Sequence, residues 1–308
     1  MPVDMLRILL RLRNSTQLKP SKKKTTIRFL FPSKVFLGRQ HRTFSLVQSD
    51  VKENGVAIIS LNRPSSCNAL NTELALQLDA IFDELRENEC RSTRKALVKA
   101  VVVTGNGKAF CAGADLKERQ GMTDDEWDAQ HKIFQKCFQS FQSLPMPTIA
   151  AANGHGFGGG LELICLADWA YAASGARFGF PEVGLGIFPG LGGTQTLSRL
   201  VGINTARRLI LTGKTITADE GYNLGLFSRV ECDGEKTLEA AINDANRIAC
   251  SGPSAVRLAK QAIWEGYQTC QFKDAWDLSL KYYGEAFRSH ERIEGVKAFN
   301  EKRPPIFK

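Results

Sequence analysis

The chain has 308 residues, 43% of them hydrophobic and 24% charged, proportions that exclude a disordered or fibrous protein. No apolar run approaches the ~18 residues that a membrane-spanning helix requires, which excludes an integral helical membrane protein and predicts no membrane partner. The formal charge of +9 is concentrated at one end: Met1–Ser49 carry 11 basic residues and one acid, Asp4, against 30 basic and 31 acidic residues in the remainder. The folded part is therefore near neutral, and the overall basicity is no evidence for a nucleic-acid ligand.

Residues 1–45 read as an address. Leu6, Leu9 and Leu10 share one face of a helix and Arg7 and Arg11 another, hydroxyls recur from Ser15 to Thr26, and acids are almost absent. That is the pattern of an organellar transit peptide, whereas a secretory signal needs an apolar core that Arg7, Arg11 and Arg13 would interrupt. Arg42-Thr43-Phe44-Ser45 resembles a mitochondrial processing site. The expectation is a mitochondrial transit peptide over 1–45 and a location in the matrix; a basic tail that binds nucleic acid is the alternative.

Beyond it, Val56–Leu61 predicts a strand, and Leu74, Leu78, Ile81, Phe82 and Leu85 follow helical spacing. Val98–Thr104 predicts a buried strand bounded by Gly105 and Gly107. Thr123-x-x-Glu126 is a capping box opening a helix with Trp127, Phe134, Phe138 and Phe141 on one side, stopped by Pro145 and Pro147. Thr148–Ala152 predicts another strand. Past Asn204 the pattern is mostly helical, with a second capping box at Thr217-x-x-Glu220 and a helix starting at Pro253. The fold class expected is α/β, with a core over 46–203 and a helical region over 204–308.

The eight cysteines show no C-x-x-C spacing and read as reduced thiols of a matrix or cytosolic protein, Cys111 as a small buried side chain. The four histidines show no i,i+4 pairing, which speaks against a metal hydrolase and predicts no metal site.

Twelve of the 27 glycines fall between Gly154 and Gly193, the density expected where main chain approaches a ligand. Gly154-x-Gly156-x-x-Gly159 fits a dinucleotide-binding turn, but it stands mid-chain, no acid ends a second strand at the required distance, and Gly184–Gly193 stay unexplained. A second reading uses every piece. A strand closing at Asn153 and a helix opening near Gly160 would expose N–H groups as an oxyanion site, with Glu162 in the first turn. Glu182 follows twenty residues later, and the loop Ala112–Leu116 can offer another main-chain donor. Two carboxylates beside a polarised carbonyl suit proton transfer next to a thioester. Taken singly, Glu162 could merely complement a helix dipole and Glu182 could be a solvated loop carboxylate.

The blocks FCAGADLKER (Phe110–Arg119), NGHGFGGGLEL (Asn153–Leu163), FGFPEVGLGIFPGLGGTQ (Phe178–Gln195) and EGVKAFNEKRPP (Glu294–Pro305) together resemble the crotonase, or enoyl-CoA hydratase/isomerase, superfamily. Within it they are most similar to the mitochondrial branch that includes methylglutaconyl-CoA hydratases. The resemblance runs from about Val51 to the C-terminus. It implies a superhelix of ββα turns with a helical C-terminal trimerisation region, a homotrimer or homohexamer, and an enoyl-CoA hydratase producing 3-hydroxyacyl-CoA, with coenzyme A as part of the substrate and no separate cofactor. By the same resemblance, the N–H groups of Ala112 and Gly159 form the oxyanion hole. Glu162 activates water and Glu182 supplies the α-carbon proton. Ala112, Gly113, Ala114, Asp115, Gly158 and Gly159 contact the acyl-CoA, and Phe299 and Lys302 approach the nucleotide of a neighbouring subunit. Lys117 and Arg119 would meet coenzyme A phosphates or stay solvated, and His155 would pack behind the site. Isomerase chemistry on the same fold is the nearest alternative, a Rossmann oxidoreductase or an RNA-binding protein the remoter ones. The helix from Asn71, which in an RNA-binding relative is studded with lysine, has none here, so no nucleic-acid partner is expected.

Overall fold

The computed structural model describes residues 40–43, 46–90 and 98–307. Its centre is a seven-stranded sheet whose middle strands are buried on both faces, which is why they read as unbroken apolar runs. In chain order the first elements are β1 (Gln40–Thr43), β2 (Val47–Val51), β3 (Val56–Leu61), α1 (Thr72–Cys90), β4 (Ala100–Gly105) and β5 (Ala109–Cys111). There follow α2 (Leu116–Arg119), α3 (Asp124–Gln142), β6 (Thr148–Ala152), β7 (His155–Phe157), α4 (Gly159–Leu166), β8 (Trp169–Ala173) and β9 (Arg177–Gly179). Next are α5 (Gly193–Val201), α6 (Ile203–Thr212), β10 (Ile216–Thr217), α7 (Ala218–Asn223), β11 (Arg229–Glu231) and α8 (Gly234–Ala249). The chain closes with α9 (Pro253–Tyr267), α10 (Phe272–Phe287) and α11 (His290–Asn300).

The large sheet has the order β1-β2-β3-β4-β6-β8-β11, parallel from β3 onward, and a second sheet has the order β10-β9-β7-β5. Three consecutive pairs, β4/β5, β6/β7 and β8/β9, each place the first strand in the large sheet and the second in the small one. The chain thus winds as successive strand–strand–helix turns, the superhelix expected. Alternation sorts β4: Val101 and Val103 face the main core with Phe82, Phe110, Phe138 and Phe178, while Ala100 and Val102 face α8. Ala240, Ala241, Ala245 and Ala249 give α8 a smooth face that lies directly on the sheet.

The expected boundary at 203/204 is not a structural one. β11 is the edge strand of the large sheet and α8 covers its outer face, so the core continues to Ala249. Sequence periodicity missed this because β11 is only three residues long. The helices after it form the C-terminal layer, tied back by Lys260, which reaches the Met146 carbonyl at 2.9 Å and Asp168 at 2.8 Å. Of the segment read as a transit peptide, Gln40–Thr43 pair antiparallel with β2, and the rest lies outside the described residues. Both capping boxes are present, at Thr123/Glu126 and Thr217/Glu220.

Candidate active site

Two backbone passages cross at the start of α4. Gly113 adopts φ +84°, and a Cβ there would stand 2.8 Å from the Phe157 carbonyl and 3.4 Å from the Gly159 nitrogen, so only glycine lets them approach. Gly159, Gly160 and Leu161 occupy the first turn of α4, whose N–H groups have no intrahelical acceptor. The Gly159 N–H has none elsewhere among the described residues.

The second donor is not the residue expected. The Ala112 N–H, assigned to the oxyanion hole from the sequence, donates to the Cys67 carbonyl at 3.0 Å and is spent. Leu70 pairs with this loop as a parallel bridge, donating to Gly113 O at 2.7 Å and accepting from Asp115 N at 2.8 Å. In such a bridge the intervening residue turns its own N–H to the opposite side. That residue is Ala114, whose N–H has no acceptor among the described residues. The pair left for a ligand is therefore Ala114 and Gly159.

Glu162 is 2% exposed, one turn into α4. Its Oε1 accepts from the N–H groups of Leu191 (2.7 Å) and Gly193 (2.8 Å). A Cβ at Gly193 would be 2.9 Å from the Glu162 Cγ, so this glycine admits the carboxylate. Burial pushes the Glu162 pKa up to about 7; the two amides pull the other way, and the charge of Glu182 adds to the rise. Glu182 opens a 3₁₀ turn, Pro181–Leu185. Its Oε1 lies 2.8 Å from the position a Gly158 Cβ would take, and its Oε2 is buried without a partner. Burial raises its pKa too. The Glu182 carboxyl thus borders Gly158, and its charge reaches the Glu162 carboxyl, which stands one turn further along α4 and is held by Leu191 and Gly193.

Of the other residues singled out, Asp115 serves the loop itself. It caps α2 through the Lys117 N–H at 3.1 Å and pairs with Arg63 at 3.0 Å. Although burial opposes it, the Arg63 bond and local amides hold the Asp115 carboxyl below its ordinary pKa. Burial lifts the Cys111 thiol to about 12, which keeps it neutral. His155 is exposed and accepts from the Arg177 N–H at 2.9 Å. Phe299, 82% exposed, and Lys302 stand at the end of α11, and within one chain the structure does not bring them to Glu162. Arg119 is half-buried, its guanidinium carbon 4.1 Å above the Trp127 ring. Among the described residues no three His, Cys, Asp or Glu side chains gather as a metal site.

The sequence reading missed the Leu191 and Gly193 amides, and it missed His131, whose ring sits 2.8 Å from the position of a Gly190 Cβ. The one available signal was the unexplained glycine cluster Gly184–Gly193. A cavity of about 360 Å³ is walled by the same segment, by Phe138, and by Trp264 and Tyr267 of α9.

Residues 51–308 match the family described as enoyl-CoA hydratase/isomerase. The chain belongs to that family. It is 41% identical over 253 residues to the short-chain-enoyl-CoA hydratase of Clostridium acetobutylicum, covering 82% of this chain and 94% of that one. It is 37% identical over 257 residues to the mitochondrial enoyl-CoA hydratase of Pongo abelii, covering 83% and 85%. The crystal structure of enoyl-CoA hydratase from Bacillus anthracis superposes with a TM-score of 0.80 at 39% identity, covering 85% of this chain and 99% of that one. In this enoyl-CoA hydratase/isomerase chain, the paired strands and the C-terminal helices are therefore features of the family's α/β fold.

Proposed function

We propose that this protein adds water across the 2,3 double bond of an enoyl-CoA thioester to give the 3-hydroxyacyl-CoA. The observation that carries the reading is the pair of free main-chain donors, Ala114 and Gly159, set beside Glu182 at Gly158, with the second carboxyl of raised pKa, Glu162, in the first turn of α4. The relatives named as enoyl-CoA hydratases support it.

In this scheme the thioester oxygen accepts from the Ala114 and Gly159 N–H groups, aided by the positive end of the α4 dipole. Glu162 has one oxygen pinned by two amides, which leaves the other to orient a water and take its proton. The hydroxide oxygen bonds to the β-carbon, and the electron pair moves through the α-carbon onto the thioester oxygen as an enolate. Glu182, whose protonated form burial favours, delivers a proton from Oε2 to the α-carbon as the carbonyl re-forms. Coenzyme A enters as part of the substrate, and the balance needs no separate cofactor. The presence of both glutamates favours hydration over isomerisation, because moving a proton between two carbons needs only one.

The same reading makes the active assembly a homotrimer or homohexamer, supported by the exposed apolar face of the C-terminal helices. In it, Phe299 and Lys302 contribute to a neighbour's nucleotide site. The acid-poor basic segment and the mitochondrial relative support a matrix address. Glu73, Asp79 and Asp83, with no lysine on α1, support the absence of a nucleic-acid partner.

The test is conversion of crotonyl-CoA to 3-hydroxybutyryl-CoA, followed by mass spectrometry. Glu162→Gln and Glu182→Gln should each lower kcat by about 10²–10⁴-fold with no loss of thermal stability. A normal rate in either variant removes that carboxylate from the mechanism, and no hydration by the unaltered protein refutes the reading.

A further inference from the structure

The segment that reaches over Glu162 has little main-chain support of its own. The Ile187 N–H donates to the Glu182 carbonyl at 3.2 Å, and the Gly192 carbonyl accepts from Gln195 and Thr196 at 2.9 Å each. Between them, Phe188, Pro189 and Gly190 neither donate nor accept a main-chain hydrogen bond among the described residues. Yet this stretch must deliver the Leu191 N–H to Glu162 Oε1 at 2.7 Å. Its place has to be fixed by a side chain from elsewhere.

His131 of α3 stands where that support is needed. It is half-buried, and its Cε1 and Nε2 lie 2.8 and 3.3 Å from the position a Gly190 Cβ would take, so a methyl there would push the ring off this peptide. Burial first, and then the charge of Arg119, hold the His131 pKa below its ordinary value; Asp128 and the Gly190 carbonyl, the latter as a hydrogen-bond acceptor, pull the other way. Asp128 is itself answered by Lys132 at 2.6 Å, and residues 184–192, which bring Gly190 to the ring, carry no charge. At neutral pH the ring is therefore a neutral imidazole with one N–H to give. The Gly190 carbonyl and the Leu191 N–H belong to a single planar peptide, so a donor on the first orients and polarises the second.

We propose that His131 is a positioning residue for the water-activating carboxylate: its ring braces the Gly190–Leu191 peptide by donating to the Gly190 carbonyl, which holds the Leu191 N–H on Glu162 Oε1 and leaves the other oxygen aimed at the water. Burial is the main cause of the raised Glu162 pKa, the Gly193 and Leu191 amides oppose it, and the charge of Glu182 adds to it. Cys165, further along α4, is a buried thiol whose own pKa is raised by burial, so it stays neutral. Loosening the brace weakens one of the two opposing amides, and the Glu162 pKa then rises further. This inference rests on the hydratase reading above, in which Glu162 is the base.

The test is the pH dependence of crotonyl-CoA hydration by the full chain. His131→Leu should lower kcat/KM about threefold or more at pH 6 but leave it within about twofold at pH 9, moving the acid limb up by about half a pH unit, through kcat and not KM. His131→Gln or His131→Asn, whose amides place a donor near Nε2 or Nδ1, should restore the limb in at least one case. Gly190→Ala should reproduce the shift, and joined to His131→Leu it should add none. Carbon NMR of labelled glutamate should show the Glu162 titration moving to higher pH in His131→Leu, whatever the turnover. A rate lowered equally at every pH, or a limb that neither amide variant restores, overturns the inference while leaving the hydratase reading intact. Absence of hydration by the unaltered protein overturns that reading, and a Glu162 titration unmoved in His131→Leu overturns the brace itself. Should His131→Leu melt early, Gly190→Ala and the amide variants still decide.

Discussion

Glu162 carries a conflict that the site exploits. Its carboxyl is nearly inaccessible, yet it sits at a helix N-terminus and accepts two amide hydrogens, so burial and hydrogen bonding pull in opposite directions and burial wins. With its pKa at about 7, the group is ionised for base work only as the pH approaches neutrality. The acid limb of kcat/KM against pH should therefore fall near pH 7, well above the range of an ordinary glutamate. Because the charge of Glu182 contributes to the rise, Glu182→Gln should move the Glu162 titration to lower pH, observable by carbon NMR of labelled glutamate. Stability follows with a definite sign. A carboxyl whose folded pKa lies above its unfolded value favours the folded state below about pH 4.5, and that contribution is lost as the pH rises through about 7. Glu162→Gln should thus stabilise the protein at pH 8 relative to its effect at pH 4, by up to about 3 kcal/mol in denaturant midpoints. An equal effect at both pH values would show that folding does not raise the Glu162 pKa.

At the scale of elements, α3 matters because it carries Phe134, Phe138 and Phe141 into the main core. Its first turn is closed by the reciprocal Thr123/Glu126 bonds, so Thr123→Ala should cost about 1 kcal/mol in urea unfolding. Gly193→Ala should behave differently, lowering kcat far more than stability, because its methyl would meet Glu162 Cγ and the Phe180 ring, each at 2.9 Å. These elements also show what a linear chain reveals. Val56–Leu61 and Thr148–Ala152 were legible because central parallel strands are apolar on both faces, and α3 because its cap is local in sequence. The strands β5, β7, β9 and β10, of two or three residues each, leave no period to read. Glu162 and Glu182 were legible as a pair because each lies in a motif with glycine beside it. Which amide completes the oxyanion site was not: Ala112 and Ala114 are chemically identical, and the choice is made by the Leu70 bridge, a contact across more than forty residues. Arg119 was opaque for the same reason, since only the packing of Trp127 and Phe134 decides whether its charge is wet or dry.

At the scale of the whole molecule, the C-terminal layer is clamped to the core by Lys260, which bonds Met146 and Asp168, while within the layer Glu291 accepts from Ser254 and Tyr282 donates to Glu265. Meanwhile Phe272, Trp276, Leu280, Tyr283 and Phe287 recur at steps of three and four along α10 and are all exposed, a single apolar stripe on a helix already packed against α9. A stripe of that length in water is a poor surface for a monomer and a good one for another copy of the same chain. Sedimentation velocity at micromolar concentration should therefore give a trimer or a multiple of it. Substituting Trp276→Glu with Leu280→Glu should shift the population to monomer by placing unpaired charge in the contact. If Phe299 and Lys302 serve a neighbour's nucleotide site, that dissociation should also raise KM for acyl-CoA, whereas a stripe covered in some other way would leave KM untouched. A monomeric unaltered protein with full activity would assign the stripe to a different occupant and confine the site to one chain.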